Sequence, residues 1–287
     1  MNTVATHDGR FHADEVFAIA ILSLCYPKLK WIRTRDQDKL KKTNARVDVG
    51  YRYNPKTNDY DHHQKDFNLK RKNGIPYASA GLIWKFFGHK LTKSEESFLE
   101  IDKKLIQPID ANDVGKKIFS PKEAHPYTLE LLINSFNPTW SVNKNYDARF
   151  EKVVDLAKEI IKNEIRILEG LMAAKNKIYN LASKTAKEYI VLDMKDSWEI
   201  AAISVPKLKF VIYPHDKKQW CVYTIKINDR GFKARKQLPK KWAGLAGKDL
   251  AKVTGVPDST FCHTKRFVVL AESKEGAIKL AELALRD

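Results

Sequence analysis

The prediction of the fold starts from residues 47–63, which read VDVGYRYNPKTNDYDHH. Val47 to Val49 is a short apolar run with Asp48 in its middle, a pattern typical of a buried strand that delivers a carboxylate at its carboxyl end. The next residues contain Asn-Pro and Asn-Asp pairs, which indicate a loop rich in turns. The chain then returns to Asp61 and two adjacent histidines. We therefore interpret Asp48 and the histidine pair as parts of one site.

The two adjacent histidines allow a separate prediction about the directions of their side chains. Neighbouring side chains on an extended segment point in opposite directions, so His62 and His63 should not both be ligands of one small ion. We expect one of them to bind a metal. The other should face a substrate or hold a ligand in place through a hydrogen bond.

Strands and helices alternate along the N-terminal half of the chain. Residues 4–6 read as a buried strand, and residues 13–24 show apolar side chains at helical spacing. Three metal-competent side chains, those of His7, His12 and Asp14, lie within eight residues at the junction of this strand and helix. Short alternating units indicate a mostly parallel sheet flanked by helices, and such sheets bind ligands at their strand-to-helix turns.

The pattern of apolar residues changes twice after this region. Residues 147–181 keep an apolar face over a length that suits a helix connecting two lobes, and β-rich runs begin after Lys187. Residues 261–270 are predicted as one strand. The sequence thus predicts an α/β protein with a long connecting helix and a smaller C-terminal α/β domain. The predicted bounds are 1–145 for a catalytic, metal-binding domain, 146–184 for the connector and 185–287 for the C-terminal domain.

Composition narrows the class of partner. The chain has 52 Lys and Arg against 35 Asp and Glu, a net charge of +17, which favours a polyanion such as nucleic acid, although a lysine-rich proteome gives the same balance. No apolar run approaches a membrane span, and the first residues read as a strand rather than a targeting peptide. Three scattered cysteines favour core positions in a reducing compartment. We expect a cytoplasmic protein without a membrane partner, and we leave a homodimer open.

Six side chains are the candidate metal ligands, and each lies near the end of a predicted element: His7, His12, Asp14, Asp48, His62 and Asp110. The donors are oxygen and imidazole without a thiolate, which favours Mn²⁺, with Mg²⁺ or Co²⁺ as alternatives, over structural zinc. Six donors suit two ions bridged by a carboxylate. Two metals about 3.5–4 Å apart polarise a phosphoryl oxygen and lower the pKa of a bridging water, so the donors predict phosphate-ester hydrolysis.

Any one of these residues alone would more often be a cap or a satisfied polar group. Four further acids are assigned to that class, as turn or cap residues: Asp8, Asp36, Asp59 and Asp113.

A set of short motifs then follows in order along nearly the whole chain. They are Thr-His-x-Gly-x-Phe-His-x-Asp-Glu at 6–15, Arg-Thr-Arg-Asp at 33–36, Val-Asp-Val-Gly at 47–50, Tyr-Asp-His-His-Gln at 60–64, Ser-Ala-Gly-Leu-Ile at 79–83, Ile-Asp-Ala-x-Asp at 109–113, Phe-Val-Ile-Tyr-Pro at 210–214, Leu-Pro-x-x-Trp-x-Gly-Leu at 238–245 and Phe-x-His-x-x-x-Phe at 261–267. As an ordered set they resemble the MYG family of the DHH phosphoesterase superfamily.

The resemblance implies a 3′–5′ exonuclease acting on RNA, with a DHH-type catalytic domain and a smaller substrate-binding domain. The ligands that it implies for one metal are His7, His12 and Asp48. Those that it implies for the other are Asp14, Asp48, His62 and Asp110. Asp48 would then bridge the two ions, and His63 would contact the scissile phosphate.

Cations near these motifs are candidates for further substrate contacts. Arg33 or Arg35 can neutralise charge that builds on the phosphate, and a solvated strand-end arginine is the alternative. Clusters that begin at Lys65 and Lys233, the second with Trp242 adjacent, combine cations and aromatics in a way that suits a single nucleic-acid strand, or else form solvated faces.

His263 is the candidate in the C-terminal domain, where related nucleases hold the terminal nucleotide, and a strand histidine in a hydrophobic sheet is the alternative. The chain departs from the family pattern here, because residues 266–270 stand where glycines usually follow this histidine. Near the metals, Tyr51 stands where a second glycine is expected and Asp8 where asparagine is expected.

Three functions follow from these observations. The first is a Mn²⁺-dependent phosphodiesterase that trims RNA or short oligonucleotides from the 3′ end. The second is a hydrolase of a small substrate (a pyrophosphate, a cyclic dinucleotide or a bisphosphonucleotide), and the third is a non-catalytic RNA-binding protein. The six donors argue against lost chemistry. A peptide hydrolase ranks last because no His-Glu-x-x-His motif is present.

Overall fold

The computed structural model describes residues 1–120, 122–140, 144–195, 198–216, 219–229 and 231–287. The chain forms two compact units, Met1–Glu169 and Gly170–Asp287. Each unit contains a five-stranded mixed sheet with helices, so the predicted α/β class is confirmed. The domain bounds drawn from the sequence stay a prediction.

The first unit is built on a mostly parallel sheet. Its strands are β1 (Thr3–Thr6), β2 (Lys30–Arg33), β3 (Ala45–Val47), β4 (Tyr53–Asn54) and β5 (Asp59–Tyr60). Their order across the sheet is β2-β1-β3-β5-β4. β1 pairs in parallel with β2 and β3, and β3 pairs in parallel with β5, whereas β4 runs antiparallel at the edge.

The helices of this region are α1 (Ala13–Cys25), α2 (Gln37–Leu40), α3 (Ser79–Phe87), α4 (Glu95–Ile101), α5 (Gln107–Asp113), α6 (Leu129–Asn134) and the long α7 (Tyr146–Ser183). Short 3₁₀ turns occupy Pro55–Thr57 and Gly88–Lys90. Every residue of α1 from Ala13 to Leu22 is buried, and the helix packs against α3 and β3. A helix that is apolar on all sides is stable only when it is covered on all sides, so α1 forms the centre of this core.

Two boundaries differ from the predictions, and both move a candidate ligand. The strand expected to begin at Val47 ends there, so Asp48 lies in the turn that follows β3. The apolar spacing of Phe98, Ile101 and Leu105 predicts a helix from Ser94 that stops at Pro108. In the structure this helix continues through a π-helical turn, Asp102–Ile106, into α5. Proline is tolerated in the first turn of α5, and Asp110 therefore lies inside a helix rather than at its end.

The second unit is a largely antiparallel sheet. Its strands are β6 (Tyr189–Val191), β7 (Phe210–Asp216), β8 (Gln219–Thr224), β9 (Ser259–Cys262) and β10 (Val268–Ala271), in the order β6-β7-β8-β10-β9. Its helices are α8 (Glu199–Ile203), α9 (Gly247–Thr254) and α10 (Lys274–Arg286), with a 3₁₀ turn at Lys240–Trp242. The prediction of one strand over 261–270 is wrong, because β9 and β10 form a hairpin whose turn contains Arg266 at a φ of 59°.

Two further expectations from composition concern the cysteines and membrane-spanning helices. Cys221 and Cys262 are buried and Cys25 is partly buried, and all three are free thiols. None of the helices that the structure describes combines the length and the apolar character needed to cross a bilayer. The cytoplasmic location and the homodimer stay predictions.

Candidate metal site

The metal-competent side chains of the first unit gather at the carboxyl edge of its sheet. His7 follows β1, Asp48 follows β3, and the histidine pair follows β5. These three strands are parallel neighbours, so the turns that follow them meet at one edge. Asp14, in the first turn of α1, completes the set supplied by this edge.

Asp48 is the residue that joins the others. Its Oδ2 lies 3.4 Å from Nε2 of His7, and its Oδ1 lies 3.3 Å from Nε2 of His62 and 3.3 Å from Nδ1 of His63. The backbone of Asp48 has a φ of 56°, which carries the chain sharply out of the strand. Burial raises the pKa of Asp48, but the neighbouring rings of His62 and His7 outweigh burial and hold this pKa far below its usual range.

His62 faces three carboxylates at once. Its Nε2 lies 3.1 Å from Asp113, 3.3 Å from Asp48 and 3.6 Å from Asp14. This nitrogen is buried, yet it has no contact with hydrogen-bond geometry among the described residues. Burial lowers the pKa of His62, but the carboxylates of Asp113 and Asp48 outweigh burial and raise it to about 11. A buried nitrogen surrounded by carboxylate oxygens without ordinary hydrogen bonds fits the ligand shell of a cation.

Asp14 is oriented by the first residues of α3. One of its oxygens accepts a hydrogen bond from the backbone N–H of Ser79 at 2.9 Å, and the other accepts from Ala80 at 2.6 Å. The positive end of that helix stabilises a carboxylate there. Burial nevertheless raises the pKa of Asp14, and the nearby Asp113 raises it further. The site thus concentrates negative charge that a cation would neutralise.

His7 belongs to a second group of donors. Its Nε2 lies 3.0 Å from Oε1 of Glu15, and the same carboxylate accepts the backbone N–H of His12 at 3.0 Å. Burial lowers the pKa of His7, but Asp48 and Glu15 outweigh burial and raise it to about 10. Three groups have donor atoms within 4.8 Å of one another: His7, His12 and Glu15; Asp48, His62 and His63; and Asp14, His62 and Asp113. This set of imidazole and carboxylate donors fits divalent metal ions.

The structure places Asp110 apart from these groups. Its Oδ2 accepts a hydrogen bond from Arg71 at 2.7 Å, and its Oδ1 accepts one from the N–H of Gly81 at 2.9 Å. Burial raises the pKa of Asp110 to about 7, against the lowering effect of Arg71. Asp113, which the sequence analysis treated as a turn or cap residue, lies instead beside His62. The π-helical turn before α5 rotates the whole of α5 relative to the preceding helix, and the apolar pattern does not reveal such a turn.

The predicted opposition of the two histidine rings is wrong. The ring centroids of His62 and His63 are 4.3 Å apart, and both rings face Asp48. The pair lies beyond the end of β5, so the side-chain alternation of a strand does not apply to it. The two differ in burial instead, since the side chain of His62 is 8% exposed and that of His63 is 51% exposed.

His63 is held by Asp61 and faces a cleft of about 640 Å³. Oδ1 of the buried Asp61 lies 2.8 Å from Nδ1 of His63 and accepts the His63 backbone N–H at 3.0 Å. The described residues that line this cleft are His7, His12, Arg35, Gln37, Asp48, Val49, Gly50, Tyr51, Asp61, His62, His63, Asn112, Asp113, Val114 and Glu130.

The two candidate arginines have different environments. Arg35 lines the cleft, is 59% exposed and pairs with Asp8 at 2.5 Å. Arg33 is buried: it donates to Asp147 at 3.1 Å and to the carbonyl of Gly9 at 2.7 Å, and its guanidinium lies 4.6 Å from the ring centre of Phe150. Arg33 therefore has the contacts of a structural residue, and Arg35 those of a residue open to a ligand.

The remaining candidates are Lys65 in the first unit and two residues of the second unit, His263 and Trp242. Lys65 is exposed and is not among the described residues that line the cleft. In the second unit, His263 lies in the β9–β10 turn, where its Nδ1 accepts the N–H of Lys265 at 3.0 Å and its ring is 4.3 Å from that of Phe267. Trp242 is only 2% exposed, so the prediction that it helps stack bases is wrong, because the ring belongs to a hydrophobic core.

Comparison with known proteins agrees with the motifs. Residues 3–285 match the family model described as "Uncharacterised protein family (UPF0160)". The chain is 31% identical to the MYG1 exonuclease of Mus musculus, over 98% of this chain and 84% of the mouse protein. It is 29% identical to the MYG1 exonuclease of Homo sapiens, over 98% and 85% of the two chains, and 30% identical to the MYG1 protein of Chlamydia muridarum, over 99% and 96%. The chain therefore belongs to the MYG1 exonuclease family that this model describes.

Proposed function

We propose that this protein is a metal-dependent phosphodiesterase that removes nucleotides from the 3′ end of RNA. The observation that carries the proposal is the meeting of three donor groups around Asp48, beside a cleft of about 640 Å³, a size that accommodates a nucleotide. Two of the relatives bear the name exonuclease. The net charge of +17 suits a polyanionic substrate.

The proposed cofactor is a pair of divalent cations, Mn²⁺ by preference, with Mg²⁺ or Co²⁺ as alternatives. The proposed ligands are His7, His12 and Asp48 for one ion, and Asp14, Asp48, His62 and Asp113 for the other. Such a pair supplies polarisation of a phosphoryl oxygen and a bound water of lowered pKa. Asp113 takes the place that the sequence analysis gave to Asp110, because it is Asp113 that lies beside His62.

The chain's own groups would orient and neutralise the phosphate. The hydrogen bond that Nδ1 of His63 donates to Asp61 raises the pKa of His63, against the effect of burial, and it occupies Nδ1. Nε2 of the protonated ring is then the atom that donates to a phosphate oxygen. Arg35, on the same cleft, adds a cation near the charge that builds in the transition state.

The experiment that tests the proposal is a hydrolysis assay with the purified full-length protein. RNA labelled at its 5′ end is incubated with Mn²⁺, Mg²⁺, Co²⁺ or EDTA, beside pyrophosphate, a cyclic dinucleotide and a bisphosphonucleotide. We expect a ladder shortened one nucleotide at a time from the 3′ end with Mn²⁺, and no shortening with EDTA. RNA labelled at its 3′ end should release labelled mononucleotide first.

The other outcomes separate the competing functions. Turnover of a small phosphate alone would overturn the nuclease proposal and keep the metal chemistry. Binding of RNA without hydrolysis of any substrate would overturn both and favour the non-catalytic protein. Hydrolysis in EDTA would overturn the assignment of the donors to metals.

A further inference from the structure

Tyr51 lies on the cleft in a backbone conformation that its side chain disfavours. Its φ is 53°, in the left-handed region that glycine adopts without strain and that a bulky residue rarely adopts. The side chain is 74% exposed, so little apolar burial offsets the strain. The stability of the fold therefore does not explain an aromatic residue at this position. Residues with strained backbone conformations cluster at active sites and ligand-binding sites.

Tyr51 and His63 are tied to the same carboxylate. Oδ2 of Asp61 accepts the backbone N–H of Tyr51 at 2.6 Å, and Oδ1 accepts the backbone N–H of His63 at 3.0 Å. Asp61 itself is buried. The ring centroids of Tyr51 and His63 are 6.4 Å apart, with the rings inclined at 72°. A fixed bridge thus sets the distance between an exposed aromatic ring and the proposed phosphate contact.

The rest of the cleft is polar or aliphatic apart from its histidines. Among the described residues that line it, Tyr51 is the only one with a phenyl, phenol or indole ring. Aromatic rings stack on every base because each base has a π face, and this gives binding that does not depend on sequence. An enzyme that shortens an RNA of any sequence requires binding of that kind.

We propose that the Tyr51 ring is the stacking platform for the base of the terminal nucleotide, whose 5′ phosphate lies at His63 and the metal donors. The proposal rests on the proposed function and deepens it: the cleft takes a nucleoside phosphate rather than a bare phosphate or pyrophosphate. A single nucleotide spans the separation of the two rings from its phosphate to its base. Tyr51 then contributes affinity through the base, and His63 contributes through the phosphate.

Two substitutions distinguish stacking from a structural role. Tyr51→Gly removes the ring and also relieves the left-handed strain, so the variant should fold at least as well as the natural protein. Tyr51→Phe keeps the ring and removes only the hydroxyl. Thermal unfolding and Mn²⁺ titration of both variants check that the fold and the metal donors are intact.

The ligands are AMP, UMP and ribose 5-phosphate, which has the sugar and the phosphate without a base. Titration calorimetry with Mn²⁺ present measures each affinity. We expect the natural protein to bind both nucleotides about 5- to 30-fold more tightly than ribose 5-phosphate, in the lower part of the range for base–aromatic stacking. Tyr51→Phe should keep this preference. Tyr51→Gly should reduce it to about twofold or less, with ribose 5-phosphate bound as before.

A preference for nucleotides that survives in Tyr51→Gly would overturn the stacking role, as would a natural protein that shows no preference. An equal loss of affinity for all three ligands would also overturn it, because it would mark a structural residue. RNA hydrolysis is scored separately. Tyr51-dependent nucleotide preference without RNA cleavage would sink the nuclease proposal alone, and RNA cleavage that is unchanged in Tyr51→Gly, without any preference, would sink the stacking proposal alone.

Discussion

The carboxyl edge of the first sheet and the β9–β10 turn of the second both offer histidine beside aromatic rings. They differ in how their polar atoms are satisfied. Nε2 of His62 is buried among three carboxylates and has no hydrogen bond to any residue that the structure describes, whereas Nδ1 of His263 accepts a local backbone N–H. An unpaired imidazole nitrogen that faces three carboxylates has the surroundings of a metal ligand, unlike the unpaired Nε1 of Trp242, which lies in a hydrophobic core. The comparison favours the first region as the proposed site of the chemistry, and four pairs of substitutions test this proposal.

The largest expected effect is the loss of hydrolysis in Asp48→Asn. The substitution removes the carboxylate shared by the two proposed sets of metal ligands, and activity on RNA should fall by at least about 1,000-fold, as when a catalytic unit is broken. Asp36→Asn is the matched control, since Asp36 is an exposed N-cap of α2. Steady-state rates with Mn²⁺ measure both. Activity in Asp48→Asn within tenfold of the natural protein would refute the shared site.

The next effect separates the two aspartates of α5. Asp113→Asn should weaken Mn²⁺ binding by about 10- to 100-fold, with thermal stability kept or raised, because it removes a carboxylate beside Asp14 and His62. Asp110→Asn should leave Mn²⁺ affinity nearly unchanged and lower the free energy of unfolding by about 2–3 kcal/mol, because Arg71 loses a buried partner. Calorimetric metal titration and urea unfolding provide the two readouts. The reverse pattern would return the metal to Asp110.

Asp110 and Asp113 also show how much of the site can be predicted from the sequence. Alternation of apolar runs is enough to place His7, Asp48 and His62 after parallel strands, because strand ends of a parallel sheet share an edge. Which side of a helix a given residue occupies is harder to predict from the sequence. The π-helical turn at Asp102–Ile106 rotates α5 relative to the helix before it, and Asp110 and Asp113 lie one turn apart within α5. Apolar periodicity records neither the extra residue of the π turn nor which of the two aspartates meets His62.

Local backbone geometry limits the prediction in the same way. The predicted divergence of the His62 and His63 rings assumes an extended segment, but strand β5 ends at Tyr60, before both histidines. The hairpin inside residues 261–270 was missed because its turn has no glycine, and Arg266 adopts the positive φ instead. The sequence does not predict which residue adopts a strained backbone conformation when contacts elsewhere in the fold hold it there.

The two arginines provide the third test. Arg35→Gln should lower kcat/KM for RNA by about tenfold with unchanged stability, since the exposed guanidinium loses a charge-assisted contact with phosphate. Arg33→Met should lower the free energy of unfolding by about 1–3 kcal/mol, because the carbonyl of Gly9 loses its donor, and should leave kcat nearly unchanged. Rates and denaturant unfolding are measured on both variants. A fall in kcat for Arg33→Met at full stability would move the phosphate contact to the buried arginine.

The smallest effect is expected in the second region, and it decides whether the comparison holds. His263→Ala removes a partly buried ring whose nitrogen serves a local turn, so kcat on RNA should not change and KM should rise by about twofold or less. His263→Asn, which can still accept a hydrogen bond from the N–H of Lys265, is the matched control. If His263→Ala raised KM more than tenfold while the asparagine variant did the same, the turn would hold RNA through the imidazole ring. A satisfied nitrogen would then be no sign of a structural role, and the distinction drawn between the two regions would fail.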